Sequence, residues 1–435
     1  MKQYDSYKDS GVQWIGKITS HWDIGPLKYY TNVIMGQSPD GDDIKDDGII
    51  LFMQGNAEFG IKTPSPIKYC DTCKKHSRIG DILLSVRAPV GATNISDKIY
   101  GIGRGLCSIK AINISNGFLW YYIKIAVNGF KMLSTGSTFE AISMEDLNST
   151  CIIIPTIDEQ KKISEYLDKK CEDINRAIAT QQKRLEMLGE LRQHIITHAV
   201  TRGINPKVSL KDSGVEWIGK VPEHWEVKRI KHVISLLTDY DANGSFADIA
   251  KNCNVNMGEP YAWMVRATDL ENKRYGIVDG NNYCDLATYK YLSKSSLKED
   301  DILIAKRGDI GKSYLVPACE DPMTLAPNTY LLLTNKDVIN NRYFYNYLQS
   351  KGGVENLRIL NKSTTLGALY KDDVKAMQIP VPPLSEQQQI VAHIEEQTAR
   401  IDKSITKAER QISLLQELKQ SIITEVVTGK RKVIE

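Results

Sequence analysis

At 435 residues with a formal net charge of +3, the chain has room for two domains plus extra helices. That charge is too small to argue for a polyanionic partner by composition, so any such binding must come from local patches. No apolar run reaches membrane-spanning length, Met1-Lys2-Gln3-Tyr4-Asp5 is no signal peptide, and eight cysteines without secretory features read as reduced thiols. A cytoplasmic protein without membrane association is expected.

In chain order, the first landmark is a head, KDSGVQWIGKITSHW at 8–22, which returns as KDSGVEWIGKVPEHW at 211–225 with 11 of 15 positions identical. The chain is therefore internally duplicated. Short apolar runs bounded by Gly, Asp and Pro predict strands at Ile49–Met53, Ile82–Val86, Gly105–Ile109 and Cys151–Ile154, with a helical stretch near Gly117–Asn128. The second half predicts strands at Ala262–Val265, Ile302–Ile304 and Tyr330–Leu333 and a helix near Asn341–Gly352. Islands align the two regions. Gly80-Asp81-Ile82-Leu83-Leu84 with Arg87 and Gly91 matches Asp300-Asp301-Ile302-Leu303-Ile304 with Arg307 and Gly311. Ser137-Thr138 before Glu145-Asp146-Leu147 matches Thr364-Thr365 before Asp372-Asp373-Val374. The mixture of elements is α+β, without strict β-α alternation.

Each half ends in a related helix. Proline ahead of Asp158-Glu159-Gln160 and of Ser385-Glu386-Gln387 is a helix-start signature. Leu167, Cys171, Ile174, Ile178, Leu185, Leu188 and Ile195 then alternate in steps of four and three, broken at Gln181 and Arg192. Ile394, Thr398, Ile401, Ile405, Ala408, Ile412, Leu415 and Ile422 keep the same register, broken at Lys419. A 3.5-residue period argues a coiled-coil seam. Forty residues would make a rod of roughly 60 Å. The two rods are expected to pair antiparallel as a spacer; the alternative places each helix on its own domain. The expected segments are 1–155 and 203–382 as mixed domains, with helices at 156–202 and 383–430.

Several catalytic signatures are incomplete. Gly311-Lys312-Ser313 has Lys306 where a phosphate loop needs glycine, and Gly101-x-Gly103-x-Gly105 lacks dinucleotide spacing and reads as a flexible turn. Cys70-x-x-Cys73-x-x-His76 supplies three zinc-ligand types, with no adjacent fourth and no counterpart in the second half. Glu226-Val227-Lys228 resembles the end of a metal-nuclease motif, but Asp23-Ile24-Gly25 stands opposite it, so it reads as a solvated strand. No glycine-rich AdoMet loop with a following Asn/Asp-Pro-Pro-aromatic motif is present.

The KDSGVxWIGKxPxHW head, the (V/I)P-hydrophobic-x-EQ helix start and the paired divergent regions together resemble the specificity subunit of type I restriction–modification systems. Trp263–Leu270 and Gly308-Asp309-Ile310-Gly311 are similar to that family's recognition patterns, matched loosely by Phe52–Asn56 and Ala88-Pro89-Val90-Gly91. The resemblance covers essentially the whole chain. It implies a non-catalytic subunit with two target-recognition domains, each reading half of a split, asymmetric site in double-stranded DNA. The helices would be the spacer and a docking surface for two methylation subunits. Motor–nuclease subunits would be further partners. No cofactor is expected in this chain; AdoMet, ATP and Mg²⁺ would sit on the partners.

Base edges are read by bidentate side chains, and phosphates are held by Lys, Arg, Ser and Thr near turns. Gln54, Asn56 and Arg87 in the first domain, and Arg266, Asp269 and Arg307 in the second, are the candidates for base contact. Lys74, Lys75, Arg78, Thr268, Lys306 and Lys312 join them as DNA-binding candidates. Because Arg87 and Arg307 recur in aligned islands, a shared phosphate clamp fits them, the alternative being ion pairs with Asp81 and Asp301. Ser137, Thr138, Thr364 and Thr365 suit phosphates or helix caps. Trp14 and Trp217, in the heads, suit scaffold packing. Two other functions compete: a non-DNA coiled-coil scaffold for two protein partners, and a fragment of a fused restriction–methylation enzyme, which the missing catalytic motifs disfavour.

Overall fold

A computed structural model describes residues 3–133, 141–308, 310–360 and 368–433. The chain forms two units, residues 1–182 with 410–435, and residues 183–409.

The first unit is built on an antiparallel sheet of β1 (Thr31–Met35), β4 (Ile82–Ser85), β5 (Thr93–Ile95) and β7 (Leu106–Ala111), in the order β1-β7-β4-β5. A second sheet holds β2 (Leu51–Met53), β3 (Lys68–Tyr69) and β6 (Gly101–Ile102), ordered β3-β2-β6 with β2 and β6 parallel. Every residue of β4 is buried, and the two-residue alternation divides its side chains between two cores. Ile82 and Leu84 join Cys107 and Ile109 beneath α1 (Asn116–Leu133), while Leu83 joins Met53, Tyr100, Ile102 and Leu106. A continuous apolar run thus serves a strand covered on both faces.

The second unit repeats the plan with different side chains. Its strands β8 (Ile234–Asp239), β12 (Ile302–Ala305), β13 (Ser313–Leu315) and β15 (Thr329–Thr334) are ordered β8-β15-β12-β13. Its smaller sheet runs β10 (Tyr283–Cys284), β9 (Ala262–Val265), β14 (Met323–Leu325) and β11 (Ser296–Leu297), again with one parallel pairing, β9 with β14. Ile302 and Ile304 face one core and Leu303 the other. The helix expected at Asn341–Gly352 is two helices, α4 (Asn341–Gln349) and α5 (Lys351–Ile359). Ser350 between them is extended, at φ −66° and ψ 157°, and its hydroxyl caps α5 by accepting from Gly353 N. A Cβ on Gly353 would stand 2.2 Å from the Tyr347 carbonyl, so the sharp turn requires glycine.

The repeated head and helix start make one device twice. Trp22 is fully buried and its indole Nε1 donates to both oxygens of Glu159 at 3.2 Å, while His21 Nε2 lies 2.9 Å from the same carboxylate. In the second unit Trp225 Nε1 donates to Glu386 at 3.1 Å, with His224 Nε2 at 2.8 Å. The glutamines that follow bridge backbone: Gln160 donates to Pro155 O and accepts from Ser115 N, and Gln387 donates to Pro382 O and accepts from Asn340 N. The EQ pair therefore latches each long helix to its head and to the sheet domain.

Those helices are α2 (Ile157–Arg202) and α6 (Leu384–Val427). In the first unit the start of α2 packs on the end of α6, with Leu167, Cys171 and Ile174 sharing a core with Ile422, Ile423 and Val426. In the second the end of α2 packs on the start of α6, through Ile196, Ala199 and Val200 against Ile390, Val391 and Ile394. Each helix ends in a left-handed glycine seated on a head tryptophan. Gly429 (φ +73°) would place a Cβ 2.8 Å from Trp22, and Gly203 (φ +74°) one 3.3 Å from Trp225.

Candidate nucleic-acid interface

In the first unit backbone hydrogen bonds gather the candidate residues at one edge. Gly103 N donates to Met53 O, Gly105 N to Gln54 O, Val86 N to Gly105 O and Ile102 N to Lys75 O. Gln54, Lys75, Arg87 and the intervening Arg104 are thereby held beside one another, and all four are exposed. Gln54 Nε2 donates to Ser38 Oγ at 2.6 Å, and Lys74 shares a small cleft with Gln37 and Ser38. Asn56 is half-buried one turn beyond Gln54, and Lys74 and Arg78 are exposed. Among the described residues neither Arg87 nor Arg104 has a side-chain hydrogen bond or ion pair. Three cations, Lys75, Arg87 and Arg104, and the Gln54 amide on an exposed edge suit a polyanion with readable edges.

Arg104 escaped the sequence reading because it sits inside Gly101-x-Gly103-x-Gly105. That run is not the flexible turn expected. A Cβ on Gly101 would stand 2.4 Å from Cys73 Sγ, one on Gly103 2.8 Å from Gln54 Cα, and one on Gly105 2.6 Å from Gln54 O. The glycines admit a close backbone approach, and an arginine carried on such a segment was the available signal.

Arg87 and Arg307 occupy the same place in the two units. Arg87 forms an isolated bridge with Ala141, and Arg307 one with Ala368. Both side chains are exposed. The pairing with Asp81 and Asp301 does not occur. Asp81 is buried and accepts from Ser108 Oγ at 2.6 Å and Arg78 N at 3.0 Å, and Asp301 accepts from Lys298 N at 2.8 Å. These aspartates hold the turns before β4 and β12 and leave the arginines to solvent.

Other second-unit candidates are already engaged. Asp269 is fully buried and takes Arg266 through Nε and Nη2, the shortest contact being 2.6 Å. Arg266 also donates to Gly280 O at 2.6 Å and Asn282 Oδ1 at 3.4 Å. Reading Asp269 as a base-contacting acceptor is therefore wrong: this pair fixes the loop after β9, and Thr268 is the exposed residue there. Lys306 Nζ is held by Asp239 at 2.9 Å and Asp241 at 2.7 Å, with Lys371 Nζ 2.9 Å from the other Asp239 oxygen. Burial alone would raise the Asp239 carboxyl, but the hydrogen bonds from Lys306 and Lys371 outweigh it and hold the group below its ordinary value. Lys312 bonds Glu271 at 2.8 Å. Neither lysine is the open phosphate contact expected. Beside Lys306, Arg307 lines a cavity of about 620 Å³ with Asp241, Asn328 and Phe246, which is 91% exposed. Phe246 also went unnoticed, because it begins a short helix, α3 (Phe246–Asn252), that shows no apolar periodicity.

Ser137, Thr138, Thr364 and Thr365 lie outside the described residues. Trp14 is half-buried with its ring 6.1 Å from Tyr122, in line with scaffold packing, while Trp217 keeps 38% of its surface. Cys73 Sγ is 3.2 Å from His76 Nε2, and among the described residues no cluster of His, Cys, Asp and Glu suited to a metal forms. Glu226–Arg229 is a strand paired with Gln378–Val381, its Glu226 spent on Lys228.

The chain matches the family described as Type I restriction modification DNA specificity domain over residues 20–187 and again over 222–413. It is 22% identical to the type I restriction enzyme MjaIX specificity subunit of Methanocaldococcus jannaschii, over 97% of this chain and 96% of that one. It is also 22% identical to the EcoKI specificity subunit of Escherichia coli K12, over 95% and 90%. A further Methanocaldococcus jannaschii chain, provisionally named the MjaX specificity subunit, is 35% identical over 47% of this chain and 48% of its own length. Among solved structures, a chain from work on the complex assembly and conformational transition of a type I R-M system aligns with TM-score 0.70 at 16% identity, covering 95% of this chain and 99% of that one, a shared fold. With two matches that together take in most of its length, the chain belongs to the type I restriction-modification DNA specificity family.

Proposed function

We propose that this chain is the non-catalytic DNA-reading subunit of a type I restriction–modification assembly, each unit recognising one half of a split, asymmetric site. One observation carries the reading. The head, latch and helix start are the same device in both units, while around the shared arginine the edges differ, Gln54 and Arg104 beside Arg87 in one and Phe246 beside Arg307 in the other. A constant frame with altered edges is what a pseudo-symmetric reader of a non-palindromic sequence requires.

In this reading Arg87 and Arg307 clamp phosphates at equivalent places, and Gln54 with Arg104 supplies base contacts in the first half-site. The predicted seam positions of α2 and α6 are all buried or half-buried, which supports an antiparallel coiled coil as spacer. Two major-groove readers on one face of B-DNA sit about 34–36 Å apart, within reach of a helix pair of this length. The repeated heads and helices would dock two methylation subunits carrying AdoMet, and motor–nuclease subunits using ATP and Mg²⁺ would join them. The test is co-expression with the cognate methylation subunit followed by footprinting. Protection of two half-sites around an unread gap is expected; one continuous footprint, or a complex that DNA does not compete for, refutes it.

A further inference from the structure

The two units are alike enough that their departures from symmetry are informative, and one lies beside Trp120. A cavity of about 280 Å³ in the first unit is lined by Lys62, by Trp120 and Lys124 of α1, by Asp168 and Asn175 of α2, and by Lys419 of α6. Lys124 Nζ stands 3.7 Å from the Trp120 ring centroid and Lys62 Nζ 5.6 Å from it. Lys419 Nζ bonds only a neutral partner among the described residues, Asn175 Oδ1 at 2.8 Å. Of the two carboxylates present, Asp168 accepts from Tyr121 OH at 2.8 Å, and Glu172 is exposed at the rim. Trp120 is only 6% exposed, yet its indole Nε1 is buried without a hydrogen-bond acceptor. A buried donor without an acceptor is uncommon in folded proteins and points to a missing partner.

The second unit shows what a self-sufficient version looks like. Tyr122 OH donates to Cys151 O, and Tyr347 OH to Gln378 O, which sets the register between α1 and α4. Tyr345 then stands for Trp120 and Gln349 for Lys124, while the helix repeat puts Arg192 for Lys419 and Asp402 for Asn175. Arg192 Nε is 3.3 Å from Asp402, and Gln349 is spent on Ser313 O and Oγ at 2.9 Å. The second unit carries its own counter-ion; the first has an amide there and one more lysine.

We propose that the cavity beside Trp120 is an anion site that takes a phosphate group, held by Lys62, Lys124 and Lys419 with the Trp120 indole as a directional donor. Phosphate offers the several acceptor oxygens that three ammonium groups and an N–H can share. Burial foremost, and then Lys419, pull Lys124 down to about 8, a cost to its charged form that a bound anion removes.

The test uses the full chain and Asn175→Asp, which installs the second unit's counter-ion without loss of volume, with Lys124→Gln as an independent variant. Inorganic phosphate is titrated against potassium chloride at matched ionic strength while tryptophan emission is followed, Trp120→Phe identifying the reporter. A saturable, phosphate-specific change in the wild type, lost in both variants, is expected. The second arm rests on the DNA-reading proposal: in complex with the cognate methylation subunit, affinity for a duplex carrying the mapped site is measured against salt. A slope smaller by about 0.9 in Asn175→Asp identifies the occupant as a DNA backbone phosphate, whereas an unchanged slope with phosphate binding lost identifies free phosphate. If neither response differs from wild type the proposal is overturned, as it is if the variants lose only a methylation subunit, since the anion is then a protein carboxylate. Failure of the wild type to bind DNA refutes the DNA reading and leaves the phosphate arm to decide the site.

Discussion

Glu386 is the carboxylate on which the second head is hung, and its removal has a calculable effect. Trp225 has no exposed surface, and among the described residues its Nε1 reaches only Glu386 Oε2, at 3.1 Å. Glu386→Ala leaves a buried indole donor unpaired, which costs about 1–3 kcal/mol, toward the upper end because the lost acceptor is charged. His224, with its side chain 48% exposed, contributes below about 1 kcal/mol to the same carboxylate. Glu386→Ala should therefore destabilise by roughly 2–3 kcal/mol and His224→Ala by less than half of that. Trp225→Phe added to Glu386→Ala removes both partners, so the double-mutant cycle should return a coupling of at least about 1 kcal/mol. Urea unfolding followed by far-UV circular dichroism measures this, with midpoints read for each transition if the two units unfold separately. The cycle on Trp22 and Glu159 should give the same value within about 1 kcal/mol. Equal midpoints for Glu386→Ala and His224→Ala, or a coupling near zero, would show that the head and helix are joined by packing alone.

Four further outcomes follow from the same geometry. Asp269→Asn leaves Arg266 without its bidentate partner at the start of the short helix after β9 and should destabilise the second unit by roughly 2–4 kcal/mol, measured by thermal unfolding, with the bases selected by the surviving protein unchanged. Arg87→Ala and Arg104→Ala should each weaken DNA binding; Arg87→Ala, as a phosphate clamp, lowers the salt slope by about 0.9 without altering sequence preference, while Arg104→Ala relaxes the first half-site only. For Glu159, burial raises the carboxyl but the hydrogen bonds from His21, Trp22 and Thr156 prevail and hold it below the ordinary range. Its contribution is then present above the unfolded value of about 4.3 and is lost as pH falls through the lower folded value, so the stability gap between wild type and Glu159→Gln, measured by urea unfolding from pH 7 to 3, should close toward the acid end. One heptad inserted after Ile178, with a matching heptad after Leu415 to preserve the seam, should lengthen the unread gap by about three base pairs, since seven residues add ~10 Å and base pairs stack at ~3.4 Å.

The frame was legible because its constraints are local and periodic. A proline-led helix start and a duplicated head each have one structural solution, and the long helices and their latches appear where the residues placed them. The twin cores were legible in part: Ile82-Leu83-Leu84 announces a buried strand but not which residue faces which core. The reading edge was much less so. Asp269 looks like an acceptor for a base until the fold brings Arg266 and Trp263 against it, and Lys306 looks like a phosphate ligand until β8 delivers Asp239. Whether a charged side chain is free depends on pairings dozens of residues away, 67 in the case of Lys306 and Asp239. The missed Arg104 and Phe246 have the complementary cause. Phe246 stands out only by exposure, which the sequence does not print, and Arg104 only once the glycines around it are seen to admit a close backbone approach.

The central claim is that the two units read two separate DNA words. Adenine-methylation mapping of a genome in cells expressing this chain with its cognate methylation subunit tests it most directly. Two short half-sites of unrelated sequence, separated by a fixed unread gap, are expected, and replacing Phe246 should alter one half-site and leave the other untouched. A single uninterrupted motif, or a change in both half-sites, would contradict the account.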